Sequence, residues 1–222
     1  MRTLTLRFCA AVAALGMAAS AVAAEGSDAD GANYANVRRV PSAPEFAGTA
    51  AINAGVTIYD ARFRRVAAAD RADPRILAIA AQLNGLDRTQ QLAMVKRLVD
   101  QRIRYSTDLD TIKVSDYWSS AGDTLNRGAG DDEDIAIVEM QALRAAGFPA
   151  EDLYISVGRH KVRGAHNVLV ARTPAGFFLL DAAEQSLMSG SVASRFTPML
   201  TMGQGRSWVH GYRRGRSAMA AR

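Results

Sequence analysis

The sequence predicts an α+β domain, helices first and an antiparallel sheet after them. Three observations lead there. Residues 88–104 repeat apolar side chains at helical spacing: Leu92, Val95, Leu98, Val99 and Ile103 share one face, with Lys96, Arg97 and Asp100 mostly outside it. A second helix begins near Asp131 and stops at Gly147, a good C-terminal stop ahead of Pro149. Three strand-like runs follow, 152–157, 166–172 and 177–181, and the turn "TPAG" (173–176) makes the last two an antiparallel hairpin. A shorter helix is expected over 75–83. Such an order favours helix packed on sheet.

The ends of the chain read differently. Residues 1–24 begin with Arg2 and Arg7, continue through an apolar alanine-rich run and finish on Ala21-Val22-Ala23, the layout of a secretory signal peptide. The run is too short and too alanine-rich for a membrane span. Cleavage removes two of the 27 Lys and Arg and none of the 22 acids, so the formal charge falls from +5 to +3. The single cysteine, Cys9, leaves with it. The mature chain then has no thiol, which excludes disulfides, cysteine-ligated zinc and a cysteine nucleophile together. Residues 25–54 are rich in Gly, Ala, Ser, Asp and Pro and read as a flexible arm, which sets the domain at 55–212. No acid follows Glu184, while six arginines do (195, 206, 213, 214, 216 and 222). In an exported protein that basic stretch, with its tail at 213–222, reads as a solvated or anion-facing segment and not as a nucleic-acid site.

The chemistry concentrates in "GAGDDEDIAI" (128–137). Four adjacent carboxylates, Asp131 to Asp134, precede an apolar helix. A helix cap is one reading, and an Asp cap contributes about 1 kcal/mol. A metal site is another, because adjacent carboxylates repel one another unless a cation or a helix end offsets them. The third is a catalytic motif without its nucleophile. A helix start activates a cysteine, a strand histidine can take its proton, and an acid on the next strand can orient that histidine. His166 and Asp181 stand where antiparallel pairing would bring them together. The thiol is missing.

Residues 116–157, "DYWSSAGDTLNRGAGDDEDIAIVEMQALRAAGFPAEDLYISV", with "GAHNVLVA" and "FFLLD" after them, resemble the bacterial transglutaminase-like cysteine proteinases. These are periplasmic proteases of papain/transglutaminase-like fold, and known members clip large surface adhesins. Their pattern is a Trp, then Gly-Asp-Cys-Glu-Asp at a helix start, then Ala-His on a strand, then Leu-Asp-Asn. Gly130, Asp131, Glu133 and Asp134 match, as do His166 and Asp181, while Asp132 stands at the cysteine. Ala182 replaces the usual Asn, Ala121 a common Pro, and Asp123 a common Glu.

The resemblance implies calcium on Asp131 and Glu133, and a groove that Trp118 lines. Asp132 is then either a replacement acid–base group working with His166 on a water, or an anion that the helix end tolerates in a dead site. His166 is either a hydrogen-bonded strand histidine or an imidazolium held between Asp132 and Asp181. His160 and His210 read as surface or loop histidines. The expectation is an exported, non-catalytic relative of these proteases, one that binds a peptide, an adhesin segment or the family's membrane receptor. The alternatives are a hydrolase of altered chemistry and a calcium-stabilised structural module.

Overall fold

A computed structural model describes residues 43–70, 72–191 and 195–213. The signal peptide, Cys9 and the tail beyond Arg213 lie outside these residues. Among the described residues, no helix is long and apolar enough to cross a membrane.

The helical half comprises α1 (Asp60–Ala68), α2 (Pro74–Ala81), α3 (Arg88–Asp100), the single turn α4 (Asp108–Thr111), α5 (Ala121–Arg127) and α6 (Asp132–Ala145). Local chemistry fixes their ends. Asp73 caps α2 ahead of Pro74, and Asp87 with Gln90 forms a capping box on α3. Gly128 ends α5 at φ 63°, and Gly147 follows α6 at φ 80°, backbone that glycine adopts without strain.

A seven-stranded sheet makes the other half, antiparallel at every pairing, in the order β1-β9-β8-β4-β5-β6-β7. Its strands are β1 (Ala50–Asn53), β4 (Leu153–His160), β5 (Gly164–Thr173), β6 (Gly176–Leu180), β7 (Met188–Ser189), β8 (Phe196–Gly203) and β9 (Arg206–Gly211). A separate parallel pair, β2 (Arg104–Tyr105) and β3 (Ala129–Gly130), ties the end of α3 to the residues just before α6.

Helix α6 lies on one face of the sheet. Ile135, Ile137, Val138, Met140 and Leu143 pack there with Leu153, Ile155, Leu169 and Ala171, and α1, α2 and α3 close around them. Alternation along β4 and β5 sends Tyr154, Val168 and Val170 to the opposite face, where Phe46, Phe196 and Trp208 cover them. Helix on sheet is therefore as expected, with the 75–83 and 88–104 helices ending slightly earlier than the sequence suggests.

Three readings are corrected. Within the stretch taken as a flexible arm, residues 43–54 are ordered: Phe46 is buried, and β1 pairs with β9, so the domain includes residues before 55. The outer sheet face needs an apolar cover, and Phe46, an aromatic in a polar segment, joins Phe196 and Trp208 in supplying it. The acid-free stretch after Glu184 is not a solvated tail, because β8 pairs with β4 and β9 with β8. Lys96 is not outside its helix's buried face: its side chain is buried and reaches Asp100 at 3.1 Å.

Candidate functional site

The site forms where the N-terminus of α6 meets β5. Gly130 permits this close approach. A Cβ there would stand 2.7 Å from Asp134 Cβ and 2.9 Å from its Oδ2. Asp134 is thereby drawn inward and fully paired: Oδ1 accepts the Ser119 N–H at 2.8 Å, and Oδ2 receives Arg127 at 2.8 Å. This last acid of the four is structural, clamping α5 and the loop before it to α6. Burial still pushes its carboxyl up to about 6.

Asp132 is the first residue of α6, and its Oδ2 accepts the backbone N–H of Asn167. Nδ1 of His166 lies 3.1 Å from the same oxygen. The other ring nitrogen, Nε2, lies 2.6 Å from Asp181 Oδ1, just past the end of β6. Asp181 Oδ1 also accepts the Ala183 N–H at 2.7 Å. The structure thus brings together Asp132, His166 and Asp181, the three residues singled out from the sequence. Burial works against the imidazolium, but bonds and charges from Asp132 and Asp181 overcome it and raise His166 to about 9. Burial opposes the Asp181 charge as well, yet His166 holds that carboxyl below its ordinary value.

Asp131 and Glu133 flank this trio. Asp131 occupies the N-cap position, but its side chain closes no capping hydrogen bond, and its Oδ1 is buried without a partner. Burial and the charges of Asp134, Asp108 and Asp132 push it up to about 7. Glu133 accepts Asn167 Nδ2 at 2.8 Å on Oε2, and burial followed by the Asp131 and Asp132 charges pushes it up to about 9. Capping therefore explains neither residue.

Two acids that the sequence did not single out complete the cluster. Asp108, in α4, is 1% exposed. Its Oδ2 accepts the Tyr117 N–H, and its Oδ1 is buried and unpartnered. Asp116 pairs with Arg62 at the surface. One oxygen each from Asp131, Asp132 and Glu133 lie within 4.8 Å of one another, as do sets from Asp108, Asp131 and Asp134 and from Asp108, Asp116 and Glu133. Among the described residues, Asp108, Asp131 and Glu133 have no ion-pair partner. The donor set is all oxygen, partly orphaned and net negative, which fits a hard divalent cation. No spacing links Asp108 or Asp116 to the motif, so only the fold reveals them. Asn167 had a signal, since it follows His166 directly.

Trp118 does not line a groove. It is 1% exposed and packs in the core with its ring 5.9 Å from that of Tyr59, so it supports the loop from behind. The exposed aromatic beside it is Tyr117, with Arg65 over its ring at 4.6 Å. Tyr105 stands near the acids from β2, and Arg163 of the β4–β5 turn lies 5.2 Å from its ring centroid. His160 and His210 are not surface histidines. His160 is buried, accepts the N–H groups of Val162 and Arg163 on Nδ1, and lies ring to ring with His166 at 5.4 Å. His210 bridges the Thr49 and Thr201 hydroxyls, and burial pushes it down to about 4.

A helix start facing a strand histidine, itself held by an acid at the end of the next strand, defines a transglutaminase-like α+β protein. The model of the bacterial transglutaminase-like cysteine proteinase family matches residues 67–210, and the chain belongs to that family. No curated protein matches it. Among solved structures it is similar to calcium-bound LapG from Legionella pneumophila, with 26% identity and a TM-score of 0.54 over 72% of this chain and 92% of that one. The EGTA-treated form of LapG gives 26% identity and a TM-score of 0.53 over 73% and 90%.

Proposed function

We propose that this protein is an exported, non-catalytic member of its family that binds a peptide or protein segment without cutting it. The observation that carries this reading is the double engagement of His166: each ring nitrogen faces a carboxylate, Asp132 at 3.1 Å and Asp181 at 2.6 Å. An imidazolium so held has no lone pair with which to take a proton from a nucleophile or a water. Asp132 is itself a poor substitute nucleophile, since its attack on an amide would pass through an anhydride. The trio acts as an ion-paired strut joining helix and sheet.

Exposed apolar side chains stand on α4 (Leu109), between α4 and α5 (Val114 and Tyr117) and at the β4–β5 turn (Val162), and the Tyr117 N–H binds Asp108 of the acid cluster. They offer a contact surface next to the acid cluster, suited to a protein segment such as the adhesins that family members clip. A divalent cation, calcium above all, would be held by Asp131 and Glu133 with Asp108. It would neutralise the unpaired acids and fix the loop carrying Asp108 and Tyr117 against α6.

The test is a peptide-library digestion, read by mass spectrometry, of the mature protein and of Asp132→Ala. No cleavage by either is expected. Cleavage by the wild type that disappears in Asp132→Ala would establish a hydrolase of altered chemistry instead.

A further inference from the structure

We infer that Asp132 is itself a ligand of the cation, so that the residue at the family's nucleophile position has become part of the metal centre. This rests on the cation reading above and adds a member to its ligand set. Asp132 uses one oxygen, Oδ2, for His166 and the Asn167 N–H. Its other oxygen takes no hydrogen bond from the described residues. One Asp132 carboxylate oxygen falls within 4.8 Å of oxygens from both Asp131 and Glu133.

An acidic cluster alone would not define such a site, but Asp108 gives independent support. It approaches from a different element, is 1% exposed, and leaves Oδ1 buried without a partner. One of its oxygens lies within 4.8 Å of oxygens from Asp131 and, in a second set, from Glu133. A buried carboxylate oxygen without a partner is costly, and a cation on the acids beside it would satisfy it.

The chemistry separates this chain from relatives with cysteine at the position. A thiolate is a soft donor that a calcium-like ion does not take, whereas a carboxylate is the donor it prefers. Asp132 can therefore bridge, with Oδ2 on the imidazolium and its second oxygen on the cation. The bridge links metal occupancy to the strut between α6 and β5.

Terbium, which takes the same hard oxygen ligands, provides the test on the mature chain. Its emission is excited through Tyr105, Tyr117 and Trp118, calcium competes it off, and lifetimes in light and heavy water count the waters on the ion. Asp132→Ala and, as a less disruptive variant, Asp132→Cys should each add about one bound water and weaken binding by about tenfold. An unchanged water count overturns the inference even if affinity falls, because a merely neighbouring charge alters affinity without opening a coordination position. Failure of the wild type to bind terbium or calcium at all overturns the cation reading itself, and this inference with it.

Discussion

Nδ1 of His166 lies 3.1 Å from Oδ2 of Asp132, and the backbone N–H of the next residue, Asn167, binds the same oxygen. One carboxylate thus joins the first turn of α6 to β5 through both a side chain and the main chain. Its position on the helix end favours the anion, and its partner's other nitrogen is already committed to Asp181.

The pairing has a pH signature. His166 is raised to about 9, above its ordinary value of 6.5. A group raised in the folded state contributes stability that is complete below pH 6.5 and lost as pH climbs through 9. Asp132→Asn removes one of the two carboxylates and should cost about 2 kcal/mol at neutral pH, less than complete loss of a buried ion pair because Asp181 remains. Urea denaturation between pH 6 and 10 checks both points. The wild type should lose stability across that window more steeply than the variant.

A thiol placed at position 132 tests the arrangement of helix end and histidine around it. In Asp132→Cys the sulfur would sit on the N-terminal turn of α6 beside His166, and both favour the thiolate. Its pKa should fall well below the free-cysteine value of about 8.5. Alkylation rate against pH measures this, with cleavage of adhesin-derived peptides as a second readout.

The acid cluster predicts a pH dependence for the proposed cation binding. Glu133 is pushed up to about 9 and Asp131 to about 7, foremost by burial and then by neighbouring acids. Carboxyls raised in the folded state favour folding while protonated, so the metal-free protein should lose stability as pH rises from about 4 through 9. A bound cation offsets the exposed repulsion. The rise in Tm on adding calcium should therefore be larger at pH 8 than at pH 5, and Glu133→Ala should abolish most of it.

Phe46 belongs to the folded domain. It covers the sheet face opposite α6 beside Phe177 and His210. Phe46→Ala should destabilise by about 3 kcal/mol, the range for a buried aromatic truncated to alanine. A change below about 0.5 kcal/mol would fit a flexible arm instead.

Helices α3 and α6 and the β5–β6 hairpin were legible because periodicity and turn residues agree there. The facing of His166, Asp132 and Asp181 was legible because strand order and helix start sufficed. Strands β8 and β9 were hidden by their arginines, which sit at turns and edges while Phe196, Met202 and Trp208 point inward. Lys96 read as solvent-facing by charge, but it is buried beside its Asp100 partner and lowers the charge cost of the buried Glu139. Asp108 carried no signal at all: its role comes from a loop folding back on α6 across more than twenty residues of chain.

The most direct measurement is the charge state of His166 by nitrogen-detected NMR of the mature protein from pH 6 to 10. An ion-paired strut requires both ring nitrogens to stay protonated through pH 8, with titration near 9. A neutral ring titrating near 6.5, with one nitrogen free, would contradict the account and return His166 to service as a base.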